Sequence, residues 1–234
     1  MKRIAILQSN YIPWIGYFDI IKSVDEFIVY DSVQYTKNDW RNRNRIKTAS
    51  GIQWLSIPVH TSNSFGQSIK DARIVDSNWT KKHWRSLESN LNKAEHFDEY
   101  RDIWFQLYED ARNLEFLHDV NLLFLKTLCR NLGVSTTINL DTSIEFSGNS
   151  PTEKLISICK ESGADYYLTG PSALRYLEMD LFQENRINLE IIDYSKYRQY
   201  KQLFGRFESN LSVLDLLANE GSNAKSHLLT RILE

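Results

Sequence analysis

The chain has 234 residues, 42% hydrophobic and 25% charged, with a formal net charge of −2. That balance supplies enough apolar surface for one well-packed domain and gives no global pull toward nucleic acid or anionic lipid. No apolar run reaches about 18 residues, and the first one gives way at once to Gln8-Ser9-Asn10, so neither a membrane span nor a signal segment is expected and the expected location is the cytoplasm.

In chain order, Lys2 to Gln8 and Glu26 to Tyr30 read as short buried strands. Between them, Pro13 to Ser23 reads as a helix with Trp14, Tyr17, Phe18 and Ile21 at three- and four-residue steps. Arg41 to Thr48 and Ile52 to Val59 predict a hairpin around Ala49-Ser50-Gly51, and Ile69 to Val75 a further strand. Trp79 to Leu132 predicts two or three helices, capped at Ser77 or Asn78 and stopped at Gly133. The alternation then returns: strand Thr137 to Leu140, helix Pro151 to Glu161, strand Tyr166 to Leu168, helix Pro171 to Leu177, strand Leu189 to Ile192, and helix Leu211 to Asn219. The expected fold is α/β, a Rossmann-like mostly parallel sheet in a single domain over residues 1–234, with a basic hairpin inserted at 37–60 and a helical block at 78–133. Cys129 and Cys159 fall in helical segments without metal spacing, which predicts buried reduced thiols, and no metal site is expected.

Three places suggest chemistry. A strand that feeds a tight turn and a helix leaves backbone N–H groups at the sheet edge, where an anion can sit. The Tyr11 to Tyr17 turn and the Thr169-Gly170-Pro171-Ser172 turn, with Arg175 one turn on, both have that form, although an ordinary glycine turn needs no ligand. Strict strand alternation through Trp40 to Lys47 places Arg41, Arg43, Arg45 and Lys47 on one face and Trp40, Asn42, Asn44 and Ile46 on the other. The cations suit phosphate or carboxylate, and equally suit a protected hairpin edge. Asp31 closes the second strand, where it is a candidate general base or an ion-pair partner of Arg43 or Arg45; His83 is a second candidate base or a satisfied core histidine. The Ser150-Pro151-Thr152-Glu153 run is a capping box. Period-three Tyr194, Tyr197 and Tyr200 with Gln202 face either a sugar ring or the core.

Gln8, Tyr11, Pro13, Gly16-Tyr17-Phe18, Tyr30-Asp31, Val33-Gln34-Tyr35, Trp40, Asn42-Arg43-Asn44, Trp54-Leu55 and Pro58-Val59 together resemble the WbqC-like family of bacterial proteins. The likeness continues through Trp79, Lys82-His83, Tyr167 to Gly170, Arg175 to Leu177, Tyr200, Gln202, Phe207 and Leu211-Ser212. It departs at Ser9, where a nearby Pro is expected, and at Ser32, where a second Asp is expected. The resemblance implies a place in gene sets that build O-antigen and other surface polysaccharides. The reading is therefore an enzyme that transfers an acyl or aminoacyl group to the amine of a nucleotide-linked amino sugar, or else a non-catalytic protein that binds or presents that nucleotide sugar. Asp31 and His83 are the catalytic candidates; Gln8, Tyr11, Gln34, Asn42, Arg43, Asn44, Thr169, Gly170, Ser172 and Arg175 are the substrate-binding ones. The partner expected is an anionic small molecule, a nucleotide sugar, rather than nucleic acid or membrane. No cofactor, donor or oligomeric state is legible.

Overall fold

The computed structural model describes residues 1–61, 66–195 and 197–229. Strand β1 (Arg3–Leu7) leads through helix α1 (Ile15–Lys22) to β2 (Glu26–Val29), and a hairpin of β3 (Arg43–Thr48) and β4 (Gly51–Ser56) follows. Helices α2 (Asn78–Leu91), α3 (Phe97–Ala111) and α4 (Leu117–Asn131) come next. The alternation then resumes with β5 (Thr137–Leu140), α5 (Pro151–Glu161), β6 (Tyr166–Thr169), α6 (Met179–Glu184), β7 (Asn188–Ile191) and α7 (Val213–Glu220).

Five strands form a parallel sheet in the order β5-β2-β1-β6-β7, and the hairpin is a separate antiparallel pair. The expected Rossmann-like α/β fold is thus observed. From β1 the chain builds outward through β2 to β5, then returns to the other side of β1 for β6 and β7. Connections from β1 and β6 therefore diverge, which opens a crevice at their carboxyl ends. The central strands β1, β2 and β6 are buried on both faces, and period-two alternation sorts their side chains between two cores. Ala5, Phe27, Val29 and Leu168 pack on the side of α1, the three-helix block and α7. Ile4, Ile6, Ile28 and Tyr167 pack against Leu155 and Cys159 of α5 and Phe182 of α6.

Several boundaries differ from expectation. The strand expected at residues 69–75 shrinks to isolated bridges, Val59 with Ile74 and Arg73 with Phe116. Pro58 has no N–H to extend that ladder and instead accepts from Val75 N through its carbonyl. The helix expected from Pro171 tightens into a 3-10 turn, Pro171–Arg175, and α6, with only six residues, gave too short a periodic signal to be read. The capping box at Ser150 and Glu153 is present, and both cysteines are buried and unpaired.

The basic segment needs the largest correction. β3 begins at Arg43, because the chain turns over Lys37 to Asn42 with Asn38 at φ 58°. Trp40 and Arg41 therefore stand outside the alternation. Lys47, at the other end, is buried and donates to Gln202 Oε1 (3.0 Å) and the Arg206 carbonyl (2.5 Å). Of the four cations expected on one open face, only Arg43 and Arg45 share it.

Candidate functional site

A cleft of about 750 Å³ lies at the strand-order reversal, above the ends of β1 and β6. Gln8 and Asn10 enter it from β1, Tyr30 from β2, Thr169 and Gly170 from β6, and Ser150 and Lys154 from the start of α5. Arg41 reaches in from the turn before β3. Its guanidinium donates to Asn10 Oδ1 and lies 3.7 Å from Asp39, while its Nε is buried without an acceptor among the described residues. Asp39 also accepts from Trp40 N (2.7 Å) and from the Thr36 hydroxyl (2.8 Å), so the turn that carries Arg41 is fixed by its own carboxylate. An arginine that lines a crevice is suited to a phosphate or carboxylate.

Trp14 and Tyr194 wall this cleft, with ring centroids 4.8 Å apart, and also wall a second cavity of about 480 Å³ bounded by Tyr197, Tyr200 and Phe207. Gly16 makes that wall possible, since a Cβ there would run into the Trp14 indole. Gly170 is not under the same constraint: a Cβ there would meet the Tyr194 hydroxyl at 3.4 Å, an ordinary contact.

Behind the cleft lies a polar network. Asp31 is fully buried, accepts from Ser9 N (2.8 Å) and pairs with His118 Nδ1 (2.6 Å) of α4. Asn121, one turn along α4, donates to Ser9 Oγ (2.9 Å) and to the Arg41 carbonyl (2.9 Å). The network thus joins the end of β1, the end of β2, the Arg41 turn and the helical block. Burial opposes charge on His118, but the Asp31 carboxylate outweighs it and raises the pKa above the ordinary histidine value. Nδ1 donating to Asp31 leaves Nε2 as the nitrogen that can take a proton. Nearby, Ser32 donates from its N (2.9 Å) and its hydroxyl to Asp141 just after β5, which places a carboxylate beside residue 32.

The structure brings together only part of the residues singled out by sequence. Gln8, Thr169, Gly170 and Ser172 line the cleft. Tyr11 and His83 do not: Tyr11 is buried, with its hydroxyl 2.9 Å from His83 Nδ1 and 2.6 Å from Tyr108, among Trp79 and Phe124. Burial lowers the His83 pKa to about 4, so the ring is a neutral core group. Asn42 and Asn44 face inward; Asn44 donates to the carbonyls of Tyr11 (3.1 Å) and Ile12 (2.9 Å), and Asn42 to that of Ile57 (2.9 Å). Gln34 is exposed on a bridge with Ser68, and Arg175 is exposed and outside the cleft lining. Arg43 stacks on Trp54 with its guanidinium 4.2 Å from the ring centroid. Asp31 meets His118 rather than Arg43 or Arg45.

The pattern of residues spanning this site matches the WbqC-like protein family over residues 8–227. The chain belongs to that family. This WbqC-like chain is 46% identical to the uncharacterized protein Rv1507c of Mycobacterium tuberculosis, over 97% of its own length and 98% of the relative's. No solved structure matches it. Among the described residues of the WbqC-like chain, no helix is long and apolar enough to cross a membrane.

Sequence reasoning missed Arg41 as the cleft arginine and His118 as the partner of Asp31. Asn38-Asp39 was the available signal for Arg41, as a turn pair that ends strand alternation. His118 had none, because 87 residues separate it from Asp31.

Proposed function

We propose that the protein is an enzyme of bacterial surface polysaccharide assembly, which transfers an acyl or aminoacyl group to the amine of a nucleotide-linked amino sugar. The carrying observation is the Arg41 guanidinium, a cation that lines a cleft at the strand-order reversal. Such a crevice suits a phosphate-bearing ligand, and family membership supports the sugar pathway. Arg41 holds the diphosphate, the N–H groups around Gly170 assist, and Gln8, Asn10 and Ser172 orient the sugar. The amine attacks the activated acyl carbonyl; the new C–N bond forms as the bond to the leaving group breaks, and the proton shed by nitrogen passes through water to His118, which stands behind the cleft lining and which Asp31 orients. Mass spectrometry of surface polysaccharide from a deletion strain tests the reading. Loss of one small N-linked substituent on otherwise intact chains is expected.

A second reading, a non-catalytic protein that binds or presents the same nucleotide sugar, is favoured by the complete burial of Asp31. It predicts loss of whole chains in the same experiment.

A further inference from the structure

The outer face of the hairpin carries an assembly that the cleft alone does not explain. Arg43 and Arg45 of β3 share this face with Trp54, which pairs with Arg45 in the register of β4. Arg43 lies 4.2 Å from the Trp54 ring centroid, and Arg45 lies 5.7 Å from Trp54 and 5.5 Å from Trp40. The two indoles are 5.5 Å apart and inclined by 42°, so they flank each other without stacking. Trp40 is 37% and Trp54 42% exposed, an unusual expense for the largest apolar side chains on a chain with an ample core. The Arg43 side chain makes no hydrogen bond or ion pair among the described residues, the Arg45 guanidinium donates to the Asn210 carbonyl (3.1 Å), and the Nε atoms of both are buried without an acceptor.

The position of this assembly is informative. Trp40 is itself part of the cleft lining, and the next residue is Arg41. Both are held by one turn, through Asp39 and through Tyr11 N donating to the Trp40 carbonyl (3.0 Å). One turn thus sends a cation into the cleft and presents an indole at its mouth. A ligand with a diphosphate joined to a flat, carbonyl-bearing ring matches both: the anion meets Arg41, the ring stacks on an indole, and guanidinium N–H groups at the rim meet ring carbonyls.

We propose that Trp40 and Trp54, braced by Arg43 and Arg45, form the nucleobase subsite of the ligand whose diphosphate Arg41 holds. The inference rests on the reading of the cleft as an anion site and adds to it the recognition of the base. A single-stranded nucleic acid would use similar stacking, but the net charge of −2 and a platform of only two indoles beside one cleft favour a mononucleotide.

The test compares inorganic pyrophosphate with UDP, dTDP, GDP, CDP and ADP on the full chain, by calorimetry and by quenching of tryptophan fluorescence. At least one nucleoside diphosphate is expected to bind about 5- to 100-fold more tightly than pyrophosphate, the range for one stacked base. Trp54→Ala, outside the cleft lining, is expected to erode that advantage while leaving pyrophosphate affinity unchanged, which also shows that the variant folds, and Trp40→Ala is expected to erode it as well. Arg41→Ala is expected to weaken both ligands. If the parent binds pyrophosphate but no nucleotide more tightly, or if the tryptophan variants keep the full nucleotide advantage, the subsite is wrong and the anion site stands. If the parent binds neither, both readings fall. Tighter binding of oligoribonucleotides than of any mononucleotide, with steep salt dependence, would assign the face to nucleic acid instead.

Discussion

Arg41 and Arg43 are two positions apart and have opposite fates: one is drawn into the cleft by the Asp39 turn, the other lies flat on an exposed indole. Arg41→Ala is expected to weaken nucleotide-sugar binding by about 1.5 to 3 kcal/mol, as loss of a charged hydrogen-bond donor does. Calorimetry checks this, and equal affinities for variant and parent would remove Arg41 from the site. Asp31 and His118 set a pH dependence. Since Asp31 raises the His118 pKa above 6.5, the neutral ring able to accept a proton accumulates only as pH rises through that raised value. Turnover should therefore climb with pH across that range. Asp31→Asn should move the ascending limb to lower pH and depress the plateau, because the ring loses both its charge partner and its orientation. The stability effect has the opposite slope. A histidine whose folded pKa is raised contributes fully below its unfolded value of about 6.5, and the contribution fades as pH rises through the folded value. Denaturant titrations of parent and His118→Gln at several pH values would show the gap closing toward alkaline pH.

At the scale of elements, the stretch between β1 and α1 is held from outside itself. Ile12 sits at φ 38°, a conformation that a β-branched residue adopts only under constraint, and Asn44 of β3 grips the carbonyls of Tyr11 and Ile12. Asn44→Ala should cost about 2 to 3 kcal/mol, since it leaves buried carbonyls unpaired and releases the strained turn. Reduced affinity for the cleft ligand should accompany that loss, because Asn10 and Trp14 flank the same turn. His83 of α2 anchors the helical block to the same turn through Tyr11. Its pKa is lowered to about 4 by burial, so between about pH 6.5 and that value the unfolded chain binds the proton and the folded one does not. Stability should drop on acidification, by about 2 kcal/mol from about pH 7 to about pH 5 for this group alone. A His83→Gln variant whose acid loss equals that of the parent would show that another group is responsible.

For the whole molecule, ligand binding and folding are linked. A nucleotide sugar at about 100 times its Kd should add about 2.7 kcal/mol of stability, visible as a raised melting temperature, and Arg41→Ala should cut that gain to about 0.3 to 1.3 kcal/mol at the same concentration. The α/β alternation of this fold was legible because apolar runs and helical periodicity are local: Thr137–Leu140 and Pro151–Glu161 are found where the pattern put them, and the Ser150 capping box is present in full. Gln8 and Thr169-Gly170 were placed in the cleft for the same reason, since each ends a parallel strand whose neighbours follow from alternation. What lies across large separations was not legible. Asp31 and His118 carry no mutual spacing signal, and alternation cannot say where a strand begins, which decided whether Arg41 joined the hairpin or entered the cleft. Sequence by itself determined the α/β alternation and the parallel strand ends, because these depend on neighbours within a turn or a strand. Only the tertiary structure decided which of the polar residues face the cleft, because that depends on how the hairpin and helices close over the sheet and on partners distant in the chain, as Asp31 has in His118 and Asn121 in Ser9 and the Arg41 carbonyl.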